Sequence, residues 1–261
     1  MDLGQNFLVD GNVKSKIVNL LSDTRASCVF EIGTGHGELT EELCKVSEKV
    51  VSIEIDSVLF DYSSLRFGSF SGVEIVNADF MSLDLDKFVN SKFGSKKVSV
   101  CANIPYYITS QIVMRLLESE RFSFIVLMVQ KEAAERIICT PGERGCGAIS
   151  AAVRYYSIPC YSFTVSKNCF RPRPKVDSAV ITFSPVKRDD IMHRDIFFKV
   201  VRSAFSKRRK TVVNSISSSM GIDKGYILEI LKSLGISENS RAENLTFENF
   251  VDISNLMGEN N

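Results

Sequence analysis

The stretch Cys28-Val29-Phe30-Glu31-Ile32-Gly33-Thr34-Gly35-His36-Gly37 decides the fold of this 261-residue chain. Its first five residues predict a buried strand, its alternate glycines predict a turn, and Leu39, Leu43 and Val46 follow at helical spacing. Glycines let the backbone approach a ligand closely and adopt conformations that other residues resist. The spacing is G-x-G-x-G, not the dinucleotide-binding G-x-G-x-x-G, and such a loop alone is a weak signal. Strand, turn and helix together predict a nucleotide cradle.

An acidic residue at the end of the next predicted strand strengthens this prediction. Glu54 follows the predicted strand Lys49–Ile53 and lies 21 residues after Gly33. An acid so placed can accept hydrogen bonds from both hydroxyls of a ribose. The alternative is an exposed glutamate at a strand end. The glycine loop and the acid together favour an adenosine-type ligand.

Asp79 follows a third predicted strand, Val73–Asn77, and precedes Phe80. A short carboxylate beside an aromatic ring suits an adenine, whose amine donates while the ring is covered. Aspartate is equally favoured as a helix N-cap. Both interpretations stay open at this point.

A fourth predicted strand, Val98–Ala102, ends in Asn103-Ile104-Pro105-Tyr106. Pro105 fixes its own φ and restricts Ile104 to an extended conformation, which makes a rigid cluster of acceptors beside an aromatic face. An exocyclic amine on a flat base needs both, although an ordinary strand-to-loop turn has the same residues. Ligands of open α/β sheets bind at the carboxyl ends of the strands. We therefore expect four side chains or turns to meet there: Gly33, Glu54, Asp79 and Asn103.

Two later segments, Ile158–Val165 and Ser178–Phe183, predict a closing β-hairpin with a long connection. That connection carries Phe170 among the cations Arg171, Arg173 and Lys175. An aromatic ring among cations suits a base and its phosphates. The alternative is a solvated proline-rich loop.

The pattern changes to helices only after Pro185, and we place a domain boundary near residue 186. The predicted helices are Ile196–Ser206, Arg208–Ser219, Lys224–Leu234 and Phe247–Met257. A dense cationic cluster of Arg202 and Lys207-Arg208-Arg209-Lys210 lies beside apolar residues on a helix or its corner. Charge runs are usually solvated surface, but here contact with a phosphate backbone is favoured.

The composition excludes several classes of protein. Apolar residues make up 44% and charged residues 24%, which is normal for a globular protein. The net charge of +1 does not by itself indicate a nucleic-acid partner. No apolar run is long enough for a membrane span, and no secretory signal is evident. The seven scattered cysteines predict reduced thiols in a cytoplasmic protein. With two histidines, we expect no metal site.

The sequence resembles the ribosomal RNA adenine dimethyltransferases nearly from end to end. This family includes the small-subunit dimethyladenosine transferases and, more distantly, the erythromycin-resistance methylases. Its last three matching motifs resemble the small-subunit branch more closely. The resemblance is carried by Gly4-Gln5-Asn6-Phe7-Leu8, Glu31–Gly37, Glu54-Ile55-Asp56, Asn103–Tyr106, Gln130-Lys131-Glu132, Phe170–Val180, Phe205–Thr211 and Arg241-Ala242-Glu243-Asn244-Leu245.

The resemblance implies an α/β fold with the Rossmann-like sheet of class I methyltransferases in residues 1–185. Residues 186–261 would form a small all-helical RNA-binding domain. The implied cofactor is S-adenosylmethionine, and its implied contacts are Asn6, Leu8, Gly33, Glu54, Asp79 and Asn103. The implied catalytic residues are Asn103, Ile104, Pro105 and Tyr106. Tyr106 and Phe170 would stack on the two faces of the target base.

The resemblance further implies N6,N6-dimethylation of adenosines in small-subunit ribosomal RNA by a cytoplasmic monomer. Its partners would be the small ribosomal subunit and its RNA, with a role in subunit maturation, and neither membrane nor metal. Two alternatives stay open: a large-subunit methylase of the macrolide-resistance type, and a non-catalytic ribosome assembly factor.

The sequence departs from the family pattern in three places. Met1-Asp2-Leu3 replaces the usual basic residues before the first motif, so an RNA contact is expected to be missing there, or the N-terminus to be truncated. Thr34 replaces a common proline, which loosens the cradle slightly. Tyr107 replaces a common asparagine, which changes the shape of the target pocket and leaves the chemistry as it is.

Overall fold

The computed structural model describes residues 6–22 and 27–259, which form two compact units. The first unit contains the described residues up to Ala134 together with Ile158–Pro185. The second contains Glu135–Ser157 and the described residues from Val186 onwards. A single boundary near residue 186 therefore does not account for residues 135–157, which pack with the second unit.

Nine strands lie within the described residues, and seven of them form one sheet. The strands are β1 Phe7–Leu8, β2 Cys28–Ile32, β3 Lys49–Glu54, β4 Val73–Asn77, β5 Val98–Asn103, β6 Phe122–Gln130, β7 Ser157–Val165, β8 Phe170–Arg171 and β9 Ser178–Pro185. The order across the sheet is β4-β3-β2-β5-β6-β9-β7. The pairs from β4 through to β6 are parallel, and β9 is antiparallel to β6. The predicted α/β sheet is confirmed.

Eleven α-helices lie within the described residues, and the first five belong to the first unit. They are α1 Gly11–Ser22, α2 Glu38–Leu43, α3 Ser57–Phe67, α4 Leu85–Phe93, α5 Thr109–Glu118, α6 Lys131–Ile138, α7 Ala148–Tyr156, α8 Arg194–Ala204, α9 Val212–Met220, α10 Lys224–Ser233 and α11 Phe247–Glu259. None is long and apolar enough to cross a membrane.

The register of the central strands aligns their carboxyl ends. Ile32 of β2 lies beside Ile53 of β3 and Ala102 of β5. Every residue of β2 is buried, because the strand has neighbours on both edges and packing on both faces. The residues that follow these strands therefore emerge at one edge of the sheet.

A short antiparallel pair, β1 with β8, joins the start of the chain to the loop after β7 and was not predicted. Leu8 pairs with Phe170, and both side chains are buried in one core cluster with residues of α1 and β6. This core also contains Ile17 and Val126.

The second unit packs its helices around a core that includes Phe197, Ile216, Ile227 and Phe250, each fully buried. The helix predicted to begin at Arg208 begins at Val212, because Thr211 acts as its N-cap and accepts from the Asn214 N–H at 3.4 Å. The basic cluster Lys207–Lys210 therefore lies in the turn between α8 and α9.

The expectation that all seven cysteines are reduced is wrong at two positions. The loop after α6 turns back through Gly142 and Gly145, whose φ angles are +100° and +99°. This turn brings the Cα atoms of Cys139 and Cys146 to 5.4 Å, and a disulfide joins the two residues. The other five cysteines are free thiols.

Candidate active site

A cavity of about 470 Å³ opens at the carboxyl ends of the parallel strands in the first unit. This volume lies within the usual range for small-molecule sites. Its walls come from segments far apart in the sequence. The lining residues include Asn6, Phe7, Gly33, Gly35, Glu54, Asp79, Phe80, Met81, Asn103, Ile104, Pro105 and Tyr106. The four predicted strand ends therefore meet in one place.

The glycine loop brings backbone without a side chain to the wall of the cavity. Gly33 and Gly35 have φ angles of +82° and +57°, which L side chains rarely adopt. A Cβ atom at Gly35 would lie 3.2 Å from two carbons of the Phe7 ring. The loop therefore leaves a backbone-lined concavity of the kind that admits a nucleoside-type ligand.

The carboxylate of Glu54 is buried, lines the cavity and is held by two backbone donors. Its Oε2 atom accepts from the Gly35 N–H at 2.8 Å, and its Oε1 atom accepts from the Asp56 N–H at 3.0 Å. Because each carboxylate oxygen has two lone pairs, both retain capacity for a further donor. The side chain is thus oriented before any ribose hydroxyl arrives.

Asp79 serves as the cap of a short 3₁₀ turn and also lines the cavity. Its Oδ1 accepts from the Met81 N–H at 2.8 Å, and its Oδ2 accepts from the Ser82 hydroxyl at 2.9 Å. The capping alternative is therefore present in the structure. The two roles are compatible, since the capping residue also lines the cavity.

The amide of Asn103 is oriented by the N-terminal motif. Its Nδ2 atom donates to the Asn6 carbonyl at 3.1 Å, which leaves Oδ1 as the acceptor of the amide. Ile104 donates its N–H to the Met128 carbonyl at 3.2 Å, so its peptide is fixed to β6. The turn thus presents acceptors from a rigid backbone.

Tyr106 also lines the cavity, and its hydroxyl lies 3.0 Å from the Ser178 hydroxyl of β9. Ser178 was not predicted as a site residue. The two residues are 72 positions apart, and no local sequence signal links them. The hydrogen bond holds the aromatic ring at the cavity wall.

Two predicted site residues do not reach the cavity. Side chains alternate across a strand, so in β1 Phe7 faces the cavity while Leu8 enters the core. Phe170 is likewise in the core with an exposed fraction of 0%. Phe170 is therefore not among the residues that line the cavity, and its stacking on a target base stays a prediction.

The predicted RNA-binding cations are all exposed. In the first unit, Arg171 lies at the end of β8, and its guanidinium donates to the Phe170 carbonyl at 2.8 Å. Arg173 and Lys175 lie in the loop between β8 and β9. In the second unit, Lys207 donates to the Ser218 hydroxyl at 2.7 Å, while the cluster as a whole stays exposed. Residues 1–5, which include Gly4 and Gln5 of the first motif and the departure at Met1-Asp2-Leu3, lie outside the described residues.

A buried carboxyl lies behind the glycine loop and was not predicted as a special residue. Glu31 has an exposed fraction of 0%, and its Oε2 accepts from the Thr40 hydroxyl at 2.6 Å. Its Oε1 has no hydrogen-bond partner. Burial raises the pKa of Glu31 from 4.5 to about 7, against the lowering effect of the Thr40 and Ser52 hydroxyls.

Comparison with known proteins gives consistent matches over the whole chain. Residues 1–259 match the sequence model of the family described as ribosomal RNA adenine dimethylase. A protein of Clostridioides difficile named ribosomal RNA small subunit methyltransferase A is 40% identical, over 98% of this chain and 89% of its own. Its namesake in Alkaliphilus oremlandii is 37% identical, over 98% and 91%. The solved structure of a dimethyladenosine transferase from Plasmodium falciparum is similar, with a TM-score of 0.80, 25% identity and coverage of 97% and 98%.

Proposed function

The chain belongs to the ribosomal RNA adenine dimethylase family, and we propose that it dimethylates the N6 atom of adenosines in small-subunit ribosomal RNA. The observation that carries the proposal is the meeting of Glu54, Asp79 and Asn103 with the glycine loop around one cavity. The small-subunit substrate is supported by the names of the two bacterial relatives. We propose the small ribosomal subunit as partner, a role in its maturation, and a cytoplasmic location.

The proposed methyl donor is S-adenosylmethionine, and the residues around the cavity fit it. Gly33 and Gly35 bring bare backbone to the cavity wall, the buried Glu54 carboxylate suits the ribose hydroxyls, and Asp79 suits the adenine amine. Asn6 and Asn103 also line the cavity, and we propose that cofactor and target meet beside Asn103. When bound, the cofactor supplies an electrophilic methyl group on a sulfonium.

The target chemistry rests on Asn103 and Ile104. The exocyclic nitrogen of adenine is a poor nucleophile, because its lone pair is delocalised into the ring. The Asn103 Oδ1 atom and the Ile104 carbonyl accept its two hydrogens and thereby favour a tetrahedral nitrogen with a localised lone pair. Tyr106 orients the base by stacking, so the rate gain comes from proximity and electrostatics.

Protons need no dedicated base in this scheme. The methylated nitrogen is cationic and releases its proton readily to water. A second transfer to the same nitrogen requires that the pocket admit the monomethylated base. The base must also leave its stack to reach the pocket.

We propose that residues 186–261 serve as an RNA-binding domain through the cluster Lys207–Lys210. Four exposed cations in one turn attract phosphates and release counterions when they bind. In the first unit, Arg171, Arg173 and Lys175 are proposed to contact the same RNA. These contacts position the substrate without reading its sequence.

The test is Asn103→Ala, compared with Asn255→Ala. Asn255 donates to the Asp190 carbonyl at 2.9 Å and lies outside the cavity, so its variant loses the same kind of hydrogen bond. We expect Asn103→Ala to abolish methyl transfer to undermethylated small subunits while part of the affinity for S-adenosylhomocysteine remains. Asn255→Ala should keep its activity. Wild-type turnover in Asn103→Ala would refute the role assigned to Asn103.

A further inference from the structure

Arg115, near the end of α5, ties two walls of the cavity together. Its guanidinium donates to the backbone carbonyls of Met81 and Leu83. It also lies over the Phe80 ring, with its central carbon 5.5 Å from the ring centroid. A planar guanidinium with several donors can hold two carbonyls and stack on a ring at once. Arg115 therefore holds the 79–83 loop by two hydrogen bonds and one stacking contact.

The loop of residues 79–83 forms the wall of the cavity around Asp79. Asp79, Phe80 and Met81 all line the cavity. The side chain of Asp79 accepts only from Met81 and Ser82 in the described structure, so these bonds shape the loop internally. The contacts of Arg115 are what fix the second half of the loop to α5.

The helix that carries Arg115 is itself continuous with the target side of the cavity. The Thr109 hydroxyl at its start donates to the Tyr106 carbonyl at 3.2 Å, and Ile112 lines the cavity one turn before Arg115. Arg115 itself is absent from the cavity wall. Its influence on a ligand must therefore pass through the loop that it holds.

We infer that Arg115 is a positioning residue that sets the selectivity of the cavity for adenine. It holds the 79–83 loop so that the Asp79 carboxylate meets the exocyclic amine of the cofactor. The inference rests on the proposed function and adds a residue that determines specificity. It predicts that loss of Arg115 reduces the preference for an adenine-containing ligand over a hypoxanthine-containing one. A general loss of stability would weaken the binding of both ligands alike.

The probes are S-adenosylhomocysteine and S-inosylhomocysteine, which differ at position 6 of the purine and at the adjacent N1. The first carries an amine that donates to Asp79, whereas the second presents a carbonyl oxygen to the same carboxylate. Hydrogen bonds to charged groups support a preference on the order of 10- to 100-fold for the amine. The ratio of the two dissociation constants, measured by calorimetry on the full chain, reports the placement of Asp79.

Three variants separate positioning from stability. Arg115→Met removes the donors and keeps the apolar stem, whereas Arg115→Lys keeps the positive charge and three N–H donors but loses the planar fork of the guanidinium. Arg121→Met is the matched control, since Arg121 donates to the Gly94 carbonyl at 3.1 Å and precedes β6 at the opposite end of the parallel strands. Thermal unfolding of each variant verifies that it is folded.

We expect the preference for the adenine probe to fall about tenfold in Arg115→Met and by less in Arg115→Lys, with the wild-type ratio kept in Arg121→Met. If Arg115→Met does not fold, the Arg115→Lys ratio decides. A wild-type ratio in the Arg115 variants would overturn the inference, as would equal binding of both probes by the wild-type protein. Binding of neither probe by the wild-type protein would instead refute the proposed cofactor.

Discussion

Replacing Glu31 by glutamine is expected to stabilise the protein at neutral pH and to have a smaller effect in acid. Glu31 is fully buried behind the glycine loop; its Oε2 accepts from the Thr40 hydroxyl at 2.6 Å, while its Oε1 has no hydrogen-bond partner. An ionised carboxylate in that position lacks the solvation that it has in water. Glutamine has nearly the same shape and stays neutral at every pH.

The magnitude follows from the pKa. Burial raises the pKa of Glu31 from 4.5 to about 7, and this difference corresponds to about 3 kcal/mol. Between these two values the folded protein binds more protons than the unfolded chain, so the contribution of Glu31 to stability falls as the pH rises through this window. Above about 7 the full cost applies, and below 4.5 it vanishes.

The assay is urea unfolding of the wild-type protein and of Glu31→Gln from about pH 4.5 to about pH 8. We subtract the free energy of unfolding of the wild-type protein from that of Glu31→Gln at each pH. We expect this difference to increase by about 3 kcal/mol between the lowest and the highest pH. Other titrating groups are common to both proteins and cancel in the difference. A difference that stays constant across this range would refute the assignment of a buried, protonatable carboxyl.

Three further predictions concern the cavity and the basic cluster Lys207–Lys210. Gly35→Ala places a Cβ 3.2 Å from the Phe7 ring at a φ of +57°, and we expect about tenfold weaker cofactor binding by calorimetry; unchanged affinity would contradict this reading of the loop. Ser178→Ala removes the hydroxyl that lies 3.0 Å from that of Tyr106. The loss of about 1 kcal/mol should lower kcat/KM for RNA about fivefold and leave the affinity for the cofactor unchanged. An equal loss of kcat/KM and of cofactor affinity would contradict a role of this hydrogen bond in placing Tyr106. Replacing each cation of Lys207–Lys210 by glutamine should reduce the slope of log RNA affinity against log salt by about one per residue, and an unchanged slope would exclude phosphate contact.

The strand ends were predictable from sequence because each is encoded locally. An apolar run followed by a glycine turn, an acid or Asn-x-Pro-Tyr identifies both a parallel strand and its carboxyl end. Topology then requires that these ends meet at one edge of the sheet. Gly33, Glu54, Asp79 and Asn103 accordingly line one cavity.

Contacts between distant segments were not predictable in this way. The pairing of Leu8 with Phe170 places both side chains in the core, and neither residue carries a local signal of its partner. The same holds for Ser178 beside Tyr106 and for Arg115 on the 79–83 loop.

Helix α3 illustrates a different limit. It leaves Val58 and Leu65 exposed at 73% and 86%, so its apolar pattern does not mark one buried face. Its start is instead encoded by Asp56, whose side chain accepts from the Val58 and Leu59 N–H groups at 2.9 and 3.1 Å. For this helix, the N-capping aspartate marks the first turn, whereas the spacing of apolar residues does not identify a buried face.

The most direct test of the central claim is transfer of labelled methyl groups from S-adenosylmethionine to purified ribosomal subunits. Undermethylated small and large subunits are incubated separately with the protein, and their RNA is digested to nucleosides. We predict labelled N6,N6-dimethyladenosine from the small subunit alone. Label in large-subunit RNA, or none in either subunit while the cofactor binds, would contradict the account.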